Sequence, residues 1–245
     1  MIRVLLALAL FAATTPQDVP PSPPSKDPKT PQPVKASDAD AIWKKTEEAM
    51  KAKSLHFKTS IKVTIKGEDS QLENEVWFKE GNRMKSTIVG NFAGTELNLT
   101  LLSDGAKWTM LGAPKAIEAG AAPKTVVDDM RTAIPKGGFF LPGLFTCIAR
   151  SKGPEVDLGD LFTISELKLG KDVKIGTRAA KVLTFKLSMK DEQDKPDVTL
   201  WVDAETYAIL KREVNSTATG EHMVETFSEW KTDDLKNDMF ALPKE

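Results

Sequence analysis

The side chains in this sequence that could perform chemistry are few and far apart. The two histidines, His56 and His222, stand in separate segments of strand-like alternation, and neither has a cysteine or carboxylate at metal-site spacing. Cys147 is the only cysteine, so the chain can form neither an internal disulfide nor a thiolate cluster. We expect both histidines to be surface or half-buried strand residues, and Cys147 to be a small apolar filler.

The acidic residues give no stronger indication of an active site. Asp128 and Asp129 are adjacent in a predicted helix, where neighbouring side chains point about 100° apart, so they fit a solvated edge. Asp157 and Asp160 could bind a cation, but two acids three positions apart are too common to indicate a site. The sequence also lacks a G-x-S-x-G elbow, a phosphate-binding glycine loop and an H-E-x-x-H motif.

These patterns predict a protein that is not an enzyme, with no catalytic residue, no metal and no cofactor. An envelope hydrolase is the opposing hypothesis, and no nucleophile and base stand together in the sequence to support it. Only a fold that brings carboxylates to His56 or His222 would argue for it.

Composition excludes nucleic acid as a partner. The chain has 245 residues, 40% of them hydrophobic and 28% charged, and a formal net charge of -1. That length can bury one substantial core, but the balanced charge offers no basic surface to a phosphate backbone. No window approaches the roughly 20 apolar residues that cross a bilayer, so we expect a soluble or peripheral monomer.

The first residues predict export. Residues 1–13 contain an arginine, an apolar run and two alanines, which together resemble a secretory signal peptide; a buried N-terminal helix is the alternative. Residues 14–35 are rich in proline and predict a disordered, extended linker that packs no core. The alternative is that this segment is a proline-rich ligand for another protein domain. No cysteine lies near the expected cleavage point, so we predict a periplasmic protein without a lipid anchor.

Residues 36–245 predict a single domain that begins with a helix. Serine is a favoured N-cap residue, so Ser37 is a candidate for the start of this helix. Ile42, Trp43 and Met50 follow at the spacing of one apolar helix face. From Leu55 onward the apolar residues alternate with a period of two, with turns around Gly-containing stretches. Strand, turn and strand in succession indicate an antiparallel meander.

The alternation stops between Gly112 and Asp160. The segment "APKTVVDDMRTAI" predicts a short helix, and we interpret Ala119 to Ala122 as an insertion between hairpins. Roughly ten antiparallel strands in one continuous pattern predict a mainly β (α+β) fold. The pattern fits a single sheet or an open barrel, with the N-terminal helix and the apolar loop of the interruption available to cover it.

The stretch "FFLPGLF" within the interruption is unusually apolar for a loop. Its large side chains are Phe139, Phe140, Leu144 and Phe145, and the proline and glycine between them permit a sharp turn. The stretch could cover an apolar cavity as a lid, or it could dip into a bilayer surface.

Three stretches resemble the LolA/LolB-like family of outer-membrane lipoprotein-sorting carriers. The hairpin "LWVDAETYAILKREV" is similar to the family's "LW-hydrophobic-D…L-hydrophobic-K/R" hairpin, "DGAKWTM" to its "DG-K-aromatic" strand, and "MFALP" to its terminal "F-x-hydrophobic-P". Their order matches as well, and the resemblance covers Asp38 to Pro243. The long interruption and the proline-rich linker depart from a minimal carrier.

The resemblance implies an incomplete barrel closed by helices around a hydrophobic cavity. In the family's carriers that cavity holds the acyl chains of a lipoprotein in transit, while relatives bind other lipids or act as envelope sensors. The resemblance therefore implies a lipid or lipidated protein as partner, with "FFLPGLF" as part of the lid. In the family's carrier an arginine locks the lid. The resemblance does not assign that role to any arginine of this sequence.

Two hypotheses remain for the domain. The first is a carrier or sensor whose cavity binds acyl chains. The second is an interaction module with a filled core, whose Phe-rich loop meets an envelope protein or a membrane surface. Strand parity gives the cavity residues expected from the first hypothesis: Val63, Ile65, Phe78, Met84, Ile88, Leu99, Leu101, Trp108, Met110 and Leu200.

Overall fold

Antiparallel strands dominate the computed structural model, which describes residues 37–65, 67–112, 117–122, 125–138, 162–189 and 193–243. Residues Asp38–Glu245 form one compact unit. Over the described ranges the first seven strands are β1 (Ser54–Ile65), β2 (Glu68–Lys79), β3 (Arg83–Phe92), β4 (Thr95–Asp104), β5 (Lys107–Leu111), β6 (Ile117–Ala121) and β7 (Phe162–Leu169). The others are β8 (Val173–Ile175), β9 (Arg178–Met189), β10 (Asp197–Asp203), β11 (Ile209–Ser216) and β12 (Glu221–Lys231).

All twelve of these strands belong to one open sheet. Its order is β6-β5-β4-β3-β2-β1-β12-β11-β10-β9-β7, and the short β8 pairs with β9. Strands β1 and β12 pair antiparallel at the centre, so the two ends of the meander meet in the middle of the sheet. The predicted fold class, an incomplete antiparallel barrel with helices, is confirmed.

The predicted number of strands was too low. The stretch Ala119 to Ala122 is not a plain insertion, because most of it lies in β6, which pairs with β5. Alanine and glycine have low strand propensity, so local sequence gave no strand signal there. The pairing with β5 stabilises this strand although its residues have low strand propensity.

The hairpin turns follow from their residue types. Gly81 and Asn82 have φ of 78° and 62° between β2 and β3, a left-handed conformation that glycine and asparagine tolerate best. At the next turn, Asp104 Oδ1 accepts the backbone N–H groups of Ala106 at 2.8 Å and Lys107 at 2.7 Å. The N–H of Lys107 contributes most to lowering the pKa of the Asp104 carboxyl.

The first helix, α1 (Asp38–Met50), begins directly after Ser37, as predicted. Its buried side chains include Trp43 and Met50, and the Trp43 ring meets Phe185 of β9 edge-on, with centroids 5.3 Å apart. The helix therefore lies over the β7–β9 end of the sheet, where its apolar face is removed from water.

The second helix, α2 (Val126–Gly137), confirms the predicted helix and continues through Pro135. Its beginning is fixed to the β2–β3 turn, because the Val127 N–H donates to Asn82 Oδ1 at 3.1 Å. Asp128 is exposed and Asp129 half-buried, so Asp128 lies on the expected solvated edge. The two helices contact each other.

The C-terminal residues cross to β3 and β4. A 3₁₀ turn, η1 (Asn237–Phe240), packs against these two strands and buries Phe240. Lys79 donates to the carbonyl of Leu235, which ties this segment to the end of β2.

Candidate functional site: the inner face of the sheet

One face of the sheet, here called the inner face, carries the main hydrophobic cluster together with side chains of both helices. The strand registers place all ten predicted cavity residues on this face. For example, Phe78 pairs with Met84, Ile88 with Leu99, and Leu101 with Met110. Partners directly opposite in an antiparallel pair point to the same side.

The ten side chains differ in how deeply they are covered. Five are buried in the core cluster: Val63, Phe78, Met84, Leu101 and Leu200. Five are only half-buried: Ile65, Ile88, Leu99, Trp108 and Met110. Four of the half-buried residues lie on β3, β4 and β5, so the inner face is less covered there, and Ile65 lies at the end of β1.

The less covered part forms a contiguous apolar surface, here called the apolar end. It consists of Ile88, Leu97, Leu99, Trp108 and Met110, all half-buried. On β3, Gly90 is the next residue after Ile88 that faces the same side, and it pairs with Leu97 of β4. Trp108 of β5 pairs with Ser103 of β4. Large apolar side chains that remain partly open to solvent side by side are suited to contact an apolar ligand.

Several predicted features lie outside the described residues. They are the lid residues Phe139, Phe140, Leu144 and Phe145, together with Cys147, Asp157 and Asp160, the signal peptide over residues 1–13 and the linker over residues 14–35.

A buried ion pair lies on the inner face beneath the end of α2. Arg212 Nη1 stands 3.2 Å from Glu225 Oε2, and neither side chain exposes any surface. Arg212 Nη2 also donates to the carbonyl of Ile134, in the last turn of α2. Burial lowers the pKa of Arg212, and the Glu225 carboxylate opposes that shift. The guanidinium stays charged and favours the negative end of the helix dipole.

A second buried arginine forms no ion pair with a carboxylate of the described residues. Arg131, on α2, is 6% exposed, and its guanidinium carbon lies 5.5 Å from the centre of the Phe78 ring. Burial lowers its pKa, against the attraction of Asp128 one turn earlier. Within the described residues, Arg131 Nε and Nη2 have no hydrogen-bond partner. An aromatic face compensates a buried cation only in part.

Three further buried polar atoms on the inner face lack a partner within the same ranges: Arg212 Nε, Asn74 Oδ1 and Ser86 Oγ. The last two lie on neighbouring strands. Ser86 pairs with Val76, which stands between Phe78 and Asn74 on β2. The two atoms are therefore neighbours on the face that Phe78 shares. Buried polar groups are normally hydrogen-bonded. The unpartnered atoms of Arg131, Asn74 and Ser86 are therefore candidates for contact with a ligand.

Sequence reasoning missed both arginines, although a signal was present for each. In β11 the residues Arg212 and Val214 have the same parity, so an inward arginine follows from the alternation that places Val214 inside. In α2, Arg131 follows Val127 by four positions and precedes Ile134 by three, which places all three on one face. Residue type was given more weight than position.

Each histidine has a carboxylate neighbour that the sequence pattern did not show. His56 Nε2 lies 2.9 Å from Glu75 Oε1, and His222 Nε2 lies 3.3 Å from Glu213 Oε1. Both pairs join neighbouring strands, and His56 also stacks on Trp77. Neither imidazole binds a hydroxyl or thiol among the described residues. A single carboxylate without a nucleophile forms no catalytic triad.

The described residues contain no group of three histidine, cysteine or acidic side chains placed to hold a metal ion. Across the same part of the chain, every helix is too short or too polar to cross a membrane.

Comparison with known proteins gives similarity only at the level of structure. No protein-family profile matches the sequence, and no curated protein matches it. A structure of the Pseudomonas aeruginosa MucA/MucB complex matches at 15% identity with a TM-score of 0.44, over 84% of this chain and 62% of the other. The chain thus spans less than two thirds of that matched chain.

Two other similar structures are covered over nearly their full length. The Mycobacterium tuberculosis lipoprotein LppX matches at 12% identity and a TM-score of 0.45, over 82% of this chain and 100% of LppX. A LolA superfamily protein from Nitrosomonas europaea matches at 15% identity and a TM-score of 0.35, over 84% and 99% of the two chains.

Proposed function

We propose that the protein is a non-enzymatic carrier or sensor that binds the acyl chains of a lipid or lipidated protein on the inner face of its sheet. The apolar end supports this proposal most directly. There Ile88, Leu97, Leu99, Trp108 and Met110 stay half-buried, next to a fully packed core. An acyl chain placed on them would gain about 0.8 kcal/mol for each CH₂ group removed from water.

The arrangement of the helices is also suited to reversible binding. Both α1 and α2 cover the inner face, and neither takes part in the strand ladders of the sheet. A cover that is held by side-chain contacts can shift without breaking the strand ladders. We propose that "FFLPGLF" completes the cover, burying its aromatic side chains on the cavity or on the lipid.

The cellular setting belongs to the same proposal. We infer that residues 1–13 direct export, that residues 14–35 form a linker, and that residues 36–245 act in the periplasm as a monomer. The resemblance of Leu200 to Val214 to the LolA/LolB-like hairpin makes sorting of outer-membrane lipoproteins a specific form of this function.

Calorimetric titration with fatty acids of different length tests the proposal. We expect laurate, with twelve carbons, to bind on the order of 100-fold more tightly than caprylate, with eight, because four more CH₂ groups are buried. Leu99→Asp, at the apolar end, should abolish most laurate binding in a folded protein, because it places a carboxylate against the chain.

Val89→Asp provides the matched control. Val89 is adjacent to Ile88 on β3 but points to the opposite face and is 43% exposed. The same new charge there should leave laurate binding unchanged. Absence of laurate binding by the wild type, or an equal loss in both variants, would contradict the proposal.

The second candidate is an envelope interaction module with a filled core. Its supporting observation is the burial of Val63, Phe78, Met84, Leu101 and Leu200 in the core cluster. This candidate predicts that no acyl chain binds in the calorimeter and that the protein associates instead with vesicles or with an envelope protein.

A further inference from the structure

A second buried polar group on the inner face lies where Arg131 of α2 contacts Phe78 of β2. Arg131 is 6% exposed, and two of its guanidinium nitrogens have no hydrogen-bond partner in the described residues. Its contact with the Phe78 ring, at 5.5 Å from the ring centre, fixes it against the sheet. A charge held under a helix in this way is costly unless a partner meets it.

The positive charge of Arg131 is distinct from that of the neighbouring ion pair. Arg212 is matched by Glu225 at 3.2 Å, so that pair contributes no net charge to the inner face. The acidic residue that acts on Arg131 is Asp128, which is exposed on the solvent edge of α2. Because water screens an exposed carboxylate, the buried side of α2 keeps an excess of positive charge.

Two polar side chains on the inner face of β2 and β3, the face that Phe78 shares, can donate hydrogen bonds. Ser86 offers a hydroxyl whose oxygen has no partner in the described ranges. Asn74 Nδ2 donates to Thr59 Oγ1 at 3.0 Å. Since a threonine hydroxyl can donate as well as accept, Asn74 can turn over and present its NH₂ group instead. Arg131, Ser86 and Asn74 are then three donors on the inner face in addition to the Arg212–Glu225 pair.

We propose that this set, here called the Arg131 pocket, binds the anionic head of an acyl-chain ligand, a carboxylate or a phosphate. The inference rests on the proposed function, because it names the class of lipid that the inner face would take. A guanidinium and two neutral donors match the acceptor oxygens of either head. An acyl chain anchored by its head at Arg131 would extend along β3 and β4 towards the apolar end.

The test compares ligands of one chain length that differ only in their head: laurate, dodecyl phosphate and the neutral dodecanol. Calorimetric titration at pH 8 gives their affinities for the full chain. We expect both anions to bind wild type at least about tenfold more tightly than dodecanol, as a hydrogen-bonded ion pair requires. The relative affinity of laurate and dodecyl phosphate then distinguishes a carboxylate ligand from a phosphate ligand.

Arg131→Met isolates the contribution of the charge. It should lose the preference for anions and keep the affinity for dodecanol, whereas Arg131→Lys should retain part of the preference. Arg83→Met is the control, because Arg83 is half-exposed at the start of β3 and should behave as wild type. Thermal unfolding adds a second readout: ligand-free Arg131→Met should melt at or above the wild-type temperature, but laurate should stabilise it less.

The outcomes separate this inference from the function on which it rests. If wild type binds dodecanol as tightly as the two anions, the acyl-binding function stands and the Arg131 pocket is wrong. If Arg131→Met is folded and keeps the anion preference, the pocket is again wrong. If none of the three ligands binds, both proposals fail. The wild-type affinity ratio decides the matter even where a variant does not fold.

Discussion

Arg212 and Glu225 face each other across β11 and β12 with 3.2 Å between Nη1 and Oε2, at positions where neither side chain exposes any surface. The same guanidinium donates to the carbonyl of Ile134, so one side chain joins two central strands to the end of α2. The covering helix is thus fixed to the sheet by a charged contact as well as by apolar packing.

Removing one member of this pair should be strongly destabilising. Arg212→Met leaves the Glu225 carboxylate buried without its partner, and we expect a loss of about 3–5 kcal/mol in the free energy of unfolding. The double variant Arg212→Met/Glu225→Leu should recover most of that loss, because neither charge of the pair remains. Urea denaturation of the three proteins measures both values, and a loss below about 1 kcal/mol in the single variant would show that the pair is not buried as described.

Gly138, which follows α2, should not tolerate a side chain. Its φ is 86°, and a Cβ there would lie 2.3 Å from Arg212 Nη1 and 2.8 Å from Glu225 Oε2. We expect Gly138→Ala to cost about 1–3 kcal/mol for the clash, in addition to the backbone strain. Gly176→Ala supplies the comparison, because Gly176 also has a positive φ, of 59°, but has no atom within 4 Å. Equal losses in the two variants would contradict the close approach.

Phe240 should anchor the C-terminal segment. It is 1% exposed, and η1 packs against β3 and β4, where Leu102 is buried although its parity is opposite to that of Leu101. We infer that Phe240 covers Leu102 on the outer face. Phe240→Ala should therefore lower the unfolding free energy by about 3 kcal/mol and speed hydrogen exchange of the β4 amides, whereas Val173→Ala, at a site 40% exposed, should change neither.

Asp203 should make the protein sensitive to acid. Its Oδ1 accepts the N–H groups of Glu205 at 3.0 Å and Thr206 at 2.9 Å. Burial raises the pKa of this carboxyl, but the Thr206 and Glu205 N–H groups outweigh it, and the net pKa is lowered. The ionised form therefore stabilises the folded protein above the unfolded pKa of about 3.9, and this contribution is lost as the pH falls through the lower folded pKa.

Asp203→Asn removes that charge but keeps an oxygen acceptor in the turn. We expect it to be less stable than wild type at pH 7 by about 1–2 kcal/mol and to lose less stability on acidification. Urea midpoints measured between pH 7 and pH 2 give both quantities. Asp203→Ala, which removes the acceptor as well, should be the least stable at neutral pH. An acid dependence in Asp203→Asn parallel to that of wild type would exclude the assigned role.

The inner face could be predicted from sequence because strand side chains alternate with a strict period of two. Val63 and Phe78 lie on different strands, yet each was assigned to the inner side by local parity alone, and the registers place both there. Turn chemistry at Gly81 and Asp104 fixed where the strands reverse. Local pattern could not give the pairing of β1 with β12, which joins residues far apart in the sequence.

The polar part of the inner face was missed for a different reason. Arginine is seldom buried, so Arg131 and Arg212 were given no role, although helical spacing and strand parity both point them inward. Strand β6 was missed because alanine and glycine carry no strand preference. For Arg212 the Glu225 carboxylate, and for β6 the ladder with β5, outweighs the preference of the residue itself.

Native mass spectrometry of the chain, recovered after secretion from a bacterial host, tests the acyl-carrier function most directly. We predict a stoichiometric adduct whose mass, and whose fatty acids after extraction, identify a lipid or lipopeptide, or a one-to-one complex on addition of laurate. A spectrum with only the ligand-free mass, both as purified and with excess laurate, would contradict the acyl-carrier function.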